Sequence, residues 1–501
     1  MAVSLSGMTL LTNNDNEGNW SGTDGPDTYN FSIQGNNSES WQLSKNTTET
    51  GTLSVSASMP TGRGVYIVWL ASSISAIYTN FTLRLQSSNN NDRFYTIATS
   101  ATPNVDGAFR AFVFDYVNKG TPTGTFNPAS LTSSIFQITT ANVNFRAIPN
   151  NWIDAIYYGV GHTISGTTTG DQLFREAALV DQTTANRYGV LELYNSIIYS
   201  QADLTLSGTA LVSDSETLVF KDTDNGYSVY NLDVTGTVTF NNTAVTAAGT
   251  ASYNFDTTGA TSFTQTGGSL TKFNTLATAS GQTMSGIVFQ SGGTSTIANT
   301  VTLSTFNTCG TITLTGALTG CTINSSPASV ALIPSSVSNV TNCTFVSGGT
   351  GHAIEGFASA GDYVIDTNSF TGYGSTGTAN AALHVTATSG TVNITAPNGT
   401  TYLSDGATVN IITGQVTLTI TNIVLGSDVV ILNSGTTTKL VDQQDVVSTT
   451  YDYSYGYSAG TFIDIKVYCE GYVPYYVYGY ELGAGTSSLP MAQVADRNYT
   501  P

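Results

Sequence analysis

A chain of 501 residues exceeds what one hydrophobic core fills, because cores stop growing near roughly 250 to 300 residues, so about two to four domains are expected. Only 9% of residues are charged, and 14 Lys plus Arg against 33 Asp plus Glu leave a formal charge of −19. That field repels phosphate backbones and anionic lipid heads, which argues against a nucleic-acid partner. The longest apolar run, Val65 to Leu70, is too short to cross a bilayer, and Met1 to Leu11 lacks the basic residues and apolar stretch of a signal peptide. The expectation is a protein made in a cytoplasm and not inserted in a membrane.

All four tryptophans, at 20, 41, 69 and 152, fall in the first third, which marks a region of its own composition, placed at residues 1–195. Its strands alternate: Phe81, Leu83 and Leu85 against Thr82, Arg84 and Gln86, then Phe112, Phe114 and Tyr116 against Ala111, Val113 and Asp115. Such a period of two predicts one buried face and one wet face. Residues 64–70, GVYIVWL, are apolar on both faces and suit a strand covered on each side. Turn-rich breaks at 89–93 and 103–107 space these strands as in a β-sandwich. A short helix is predicted over 171–184.

From residue 203 to 414, short strands of Thr, Val, Leu, Ile and Phe recur between Gly-, Ser- and Asn-rich breaks. Bulky anchors fall at Phe220, Phe240, Phe255, Phe273, Phe289, Phe306, Ile323, Phe345 and Phe370. Around several of them the chain repeats itself, as SGIVFQSG at 285, TGCTINSS at 319, TNCTFVSG at 341 and DTNSFTGY at 366. These read as rungs of a right-handed parallel β-helix, in which like residues stack from coil to coil. Cys321 and Cys343 are then neighbours in one internal stack. The four cysteines have no CxxC spacing and are read as buried free thiols, with no metal cluster and no cofactor.

Alternation returns at Val416, Leu418 and Ile420, and again at Ile463, Ile465, Val467 and Cys469, which predicts a small sandwich over 415–489 with Cys469 on the core face. Tyr451, Tyr453, Tyr455 and Tyr457 share one strand face, either an intersubunit or receptor surface or a core with hydroxyls at its rim. Residues 490–501 read as a tail ordered only against a partner.

The stretch IDIKVYCEGYVPYYVYGYEL at 463–482 resembles the strand, Gly-Tyr turn, strand element of transthyretin-like and carboxypeptidase-regulatory-like sandwiches. Residues 416–482 look like the accessory sandwich found on phage virion proteins. Residues 203–414 resemble the β-helical shafts of phage tail fibres and tailspikes, and 1–195 the concanavalin-like or jelly-roll sandwiches that bind glycans. The resemblance implies an all-β virion protein located in the particle, with other virion proteins and a host-surface glycan as partners and a homo-oligomeric, trimeric assembly. A capsid decoration or connector protein, a polysaccharide depolymerase and a bacterial surface adhesin are the alternatives.

Depolymerases need paired carboxylates, or a carboxylate with a basic partner, on adjacent rungs. Between Asp256 and Glu355 the only formally charged residue is Lys272, so no enzyme is expected. The remaining acids cluster at the ends of the shaft, as Asp214, Glu216, Asp222 and Asp224, and as Glu355, Asp362 and Asp366. His352 with Glu355 and Asp362 is the best acid/base group the sequence offers. In the loop at 13–27, Asp15, Glu17, Asp24 and Asp27 beside Trp20 have oxygens a calcium ion could use, or form a solvated acidic turn. Because sugar CH faces stack on aromatic rings while hydroxyls need polar partners, Trp20, Trp41 and Trp152 are the candidate ligand-binding residues, core packing being the alternative for each. Trp69 lies inside the apolar run and is assigned to the core.

Overall fold

The computed structural model describes residues 7–12, 20–22, 27–29, 38–42, 47–72, 78–88, 91–98, 110–140, 150–165, 167–169, 191–194, 197–213, 217–413, 415–456, 461–483 and 486–496. Residues 13–19 and 23–26 of the calcium loop, the helix at 171–184, the turn at 103–107, Asp214, Glu216 and Tyr457 lie outside them, as do the side chains of Asp27, Trp41 and Trp152. The fold is all-β, and the chain divides into two compact units, Met1–Gly293 and Thr294–Pro501.

The first unit opens with two antiparallel six-stranded sheets. One runs in the order Asp27–Tyr29, Ser38–Gln42, Asn150–Gly159, Val65–Ser72, Arg110–Asp115, with Met8–Thr12 added beside Asn150–Gly159. The other runs Thr121–Thr123, Asn91–Ala98, Tyr78–Ser88, Leu131–Thr140, Thr48–Ala57, Trp20–Gly22. Leu53, Tyr66, Val68, Leu83, Phe114, Phe136 and Ile156 fill the core between them.

Phe81, Leu83 and Leu85 are buried while Thr82, Arg84 and Gln86 are half-buried, as their alternation predicts. Val65 through Trp69 are buried on both faces, which is why that run has no polar position. At 111–116 the expected wet face is absent, since Ala111, Val113 and Asp115 are buried too. The Asp115 amide donates to Asn225 O at 2.7 Å, and its carboxylate accepts from Val117 N at 3.0 Å and Asn118 N at 2.9 Å. Chain from further along therefore covers what the local pattern leaves open.

Parallel pairing begins at Gly161–Ile164, ahead of residue 203, where it was expected. From there each turn of chain sends a strand to each of three parallel sheets, which makes a β-helix. One ladder in this unit stacks Leu204, Leu232, Phe255 and Leu276; a second stacks Val238 on Phe263; a third stacks Leu218, Val245 and Leu270. All of these side chains are buried.

The second unit repeats the plan with Thr294–Ile297, Thr300–Thr302 and Thr305–Asn307 as its first three strands. Phe306, Ile323, Phe345 and Phe370 stack in register, so the fragments at 319, 341 and 366 are rungs. The anchors Phe220, Phe240, Phe255 and Phe273, by contrast, sit in three different sheets and form no single stack. Their irregular spacing along the chain there reflects steps from sheet to sheet, not coils of varying loop length.

The corners on either side of the third-sheet strands hold left-handed residues. Asn242, Gly267 and Gly286 in the first unit, and Leu303, Gly320 and Asn342 in the second, have φ between 50° and 68° and precede the third-sheet strands. A second set, Lys272, Ser291, Thr308 and Ser325, has φ between 50° and 58° and follows them. Gly and Asn in the first set supply the αL region at least cost, whereas Leu303 and the second set adopt it with larger side chains.

The C-terminal sandwich sets a three-stranded sheet, Thr450–Gly456, Gln415–Thr421, Ser487–Pro490, against a four-stranded one, Lys439–Val446, Ser427–Asn433, Phe462–Tyr468, Tyr475–Glu481. Val416, Leu418, Ile420, Ile463, Ile465 and Val467 meet in its core. Cys469 departs from the expected core face: it lies past the end of its strand and is half-buried, with Sγ 3.9 Å from Leu425 O. Residues 490–496 depart from the expected free tail. Met491 is buried in the core, and Gln493 Oε1 accepts from Val424 N at 2.8 Å and Ser427 Oγ at 3.1 Å.

Candidate functional site

In the first unit, Arg63 stands in the turn before Val65–Ser72 and meets the coil strand Asp203–Leu206 through two bonds, Nε to Asp203 Oδ2 at 2.6 Å and Nη2 to Oδ1 at 2.7 Å. The same guanidinium donates to Val229 O at 2.6 Å and lies 3.8 Å from the centre of the Tyr227 ring. Asp203 also accepts from Asn231 N at 2.8 Å and Nδ2 at 3.0 Å. A carboxamide ladder continues from there, Asn254 Nδ2 donating to Asn231 Oδ1 and Asn274 Nδ2 to Asn254 Oδ1, each at 2.9 Å. Each carboxamide oxygen accepts from the amide of the next coil, which keeps this half-buried face hydrogen-bonded beyond the ion pair.

Beside this ladder opens a cleft of about 370 Å³, whose walls include Thr9, Tyr158, Thr163, Thr205, Asn231 and Asp233. Its volume is within the range of small-ligand sites, roughly 300 to 1,000 Å³. Tyr158 is half-buried, as are Thr163, Thr205, Asn231 and Asp233. The Asp233 carboxyl is raised above the usual carboxylate value, first by burial and then by Asp256, directly opposite on the next coil, and by Asp203. One phenol ring, a carboxamide, several hydroxyls and two carboxylates, of which Asp203 is paired with Arg63, thus line a common space, a set suited to a hydroxyl-rich ligand.

The acid/base group expected at His352 takes a different membership. Asp362 is not part of it: that carboxylate sits in a separate parallel sheet and accepts from Asn393 Nδ2 at 2.7 Å. His352 is buried, with Nδ1 at 2.8 Å from Ala381 O. Its ring stacks on His384, centroids 4.9 Å apart and planes at 21°. His384 lies between two carboxylates on neighbouring coils, Nδ1 at 2.8 Å from Glu355 Oε2 and Nε2 at 3.1 Å from Asp405 Oδ1. Burial pulls the imidazole pKa down, but the hydrogen bonds and charges of Asp405 and Glu355 outweigh it and raise the value above 6.5. Both ring nitrogens are engaged, so the group as it stands is an ion-pair bridge across three coils. Among the described residues no three His, Cys, Asp or Glu side chains converge as a metal site. At the other acidic end, Asp222 Oδ2 accepts from Thr250 N at 2.9 Å.

Trp20 takes the core alternative: it is 8% exposed and its ring centre lies 5.6 Å from that of Phe136. Trp69 is fully buried against Tyr157. Trp41 pairs with Asn151, and Trp152 with Ser40 and Ala71, on adjoining strands. Tyr451, Tyr453 and Tyr455 lie opposite Ile420, Leu418 and Val416 and pack on the C-terminal core, with the Tyr455 hydroxyl donating to Gly483 O at 2.8 Å. Of their two alternatives, these tyrosines take the core with hydroxyls at its rim.

Cys321 and Cys343 do stack, both buried and both free, with Cys343 Sγ at 3.3 Å from Thr341 O. The hydrogen bond with the neighbouring Cys321, and then burial, push the Cys343 thiol well up, which keeps it protonated.

Sequence reasoning missed Tyr158, Asp233, His384 and Asp405. Their partners are distant in the chain and are brought together only by the coil register, which no local pattern encodes.

No protein-family model and no curated protein matches the chain. Carbohydrate-binding modules stand among its structural neighbours. TmCBM61 in complex with beta-1,4-galactotriose is 14% identical, over 29% of this chain and 90% of that one, with a TM-score of 0.20. The family 11 module from Clostridium thermocellum in complex with a beta-1,3-1,4-mixed-linked tetrasaccharide is 13% identical, over 32% and 98%, with a TM-score of 0.24. An exo-beta-agarase is 10% identical over 30% of this chain and only 25% of its own length, with a TM-score of 0.24. At such scores the likeness says nothing about which ligand this chain takes.

Proposed function

We propose that the chain is a projecting structural protein of a bacteriophage particle, of the fibre or spike type, which contacts neutral host-surface glycan through the cleft lined by Tyr158 and Asp233. The observation that carries this reading is the composition of the coil stack. Its inner ladders are apolar, its outer ladders are carboxamides and hydroxyls, and Lys272 is the only charged residue between Asp256 and Glu355. Such a surface is suited to bearing load and making many modest contacts, and between Asp256 and Glu355 it holds no carboxylate that could serve sugar-chain cleavage. In this reading the chain is not an enzyme and assembles as a homotrimer on other virion proteins.

A glycan array probed with the full chain tests the attachment. Binding to neutral oligosaccharides that Asp233→Ala or Tyr158→Ala weakens by about tenfold supports it, the loss expected for one well-placed contact of about 1.4 kcal/mol. Binding untouched by both substitutions contradicts it. Polysaccharide cleavage is the second reading, favoured by Glu355, His384 and Asp405 on neighbouring coils; release of reducing ends that His384→Ala abolishes would establish it.

A further inference from the structure

The four-stranded sheet of the C-terminal sandwich has an outer face that its core does not explain. On the edge strand Tyr475–Glu481, the inward positions Tyr475, Val477 and Tyr480 pack on the core. The outward positions are also aromatic: Tyr476 is 43% and Tyr478 67% exposed. Their ring centres lie 6.0 Å apart with planes 19° from parallel, and Tyr468 on the next strand meets Tyr476 edge-on at 5.8 Å. Three tyrosines thus form a continuous patch where a wet sheet face ordinarily carries Thr, Lys or Glu.

What surrounds the rings names the occupant. Lys466 stands directly opposite Tyr476, and Asp428 directly opposite Tyr468, so donor and acceptor groups flank the aromatic patch on the same face. A protein interface core also favours tyrosine, but it is depleted of Lys and Asp. Rings bordered by an ammonium and a carboxylate instead match a pyranose, whose CH face stacks on an aromatic plane while its hydroxyls reach outward to polar groups.

We propose that Tyr468, Tyr476 and Tyr478 form a carbohydrate-stacking platform, a second glycan site on the C-terminal sandwich separate from the cleft at Tyr158 and Asp233. The formal charge of −19 selects neutral oligosaccharides over polyanionic ones. The inference rests on the attachment reading for the class of ligand and on the ring geometry for the place.

The test uses the full chain, its Tyr476→Ala/Tyr478→Ala and Tyr476→Phe/Tyr478→Phe variants, and Asp233→Ala, each titrated against a panel of immobilised neutral oligosaccharides. The platform predicts at least one glycan whose affinity falls about tenfold in the double alanine variant, survives in the double phenylalanine variant and is unchanged in Asp233→Ala. The rings being exposed, the alanine variant should fold, and its thermal midpoint checks this. Unchanged affinity of the alanine variant for every glycan overturns the platform while leaving the cleft standing. A change of mass by light scattering with glycan affinity unaltered also overturns it, assigning the face to a second copy of the chain. A parent chain that binds none of the panel overturns platform and attachment together.

Discussion

Arg63 and Asp203 face each other as a fork on a carboxylate, with two bonds of 2.6 and 2.7 Å between the turn before a sandwich strand and the coil strand that Gly161–Ile164 adjoins. Asp203 has a side chain only 6% exposed and accepts from Asn231 as well, so removing its cation leaves a buried carboxylate short of partners. Arg63→Ala should destabilise the first unit by on the order of 3 kcal/mol. Arg63→Lys should recover only part of the loss, because an ammonium cannot make the two-pronged contact. Urea unfolding of the three proteins checks the order; equal midpoints would remove the pair from the account.

Leu303 occupies a left-handed corner at φ 50° and is 72% exposed, so it bears the steric cost of that region without packing in return. The equivalent corners on the next coils carry Gly320 and Asn342. Leu303→Asn should therefore stabilise the second unit by about 1 kcal/mol. A lowered thermal midpoint would show that the leucine covers something the corner geometry does not reveal.

Phe345 lies within the stack of Phe306, Ile323 and Phe370 and is fully buried. Truncation to alanine should cost about 3–5 kcal/mol. Phe370→Ala should cost less, since that ring is only half-buried. A reversed order, read from denaturant midpoints, would contradict the assigned register.

His384 carries the pH dependence. Burial opposes its charge, but Asp405 and Glu355 raise its folded pKa above the unfolded 6.5. The protonated bridge thus contributes stability that is fully present below pH 6.5 and is lost as pH rises through the folded value. Thermal midpoints should fall across that window in the parent and stay flatter in His384→Gln, His352 stacked beneath being common to both. Parallel curves would show that the bridge is not charged.

How much of this was legible depends on the range of the interaction. The sandwich faces were readable at Phe81, Leu83 and Leu85, and at Ile463, Ile465 and Val467, because burial there follows the strand's own period of two. Rungs were readable at 319, 341 and 366, where Cys321 and Cys343 and then Ile323, Phe345 and Phe370 recur in step with the coil. Earlier coils misled, because phenylalanines in three sheets imitate a repeat. The polar clusters were illegible for a related reason. Glu355, His384 and Asp405 are far apart in the chain, and only the lengths of the intervening loops decide that they meet.

Cys469 shows the same limit at close range. Alternation carried it onto the core face, but its strand ends at Tyr468, and the next residue is free to turn outward. Residues 490–496 misled in the opposite sense. Met491, Ala492, Val494 and Ala495 follow no strand or helix period, so nothing local marks Met491 as the residue that enters the core.

The most direct measurement is electron microscopy of intact particles labelled with an antibody fragment raised against the full chain. A fibre or spike protein should carry the label on a projection from the particle, in copies grouped by threefold symmetry. Label spread over a cell envelope, or absent from every particle, would contradict that reading.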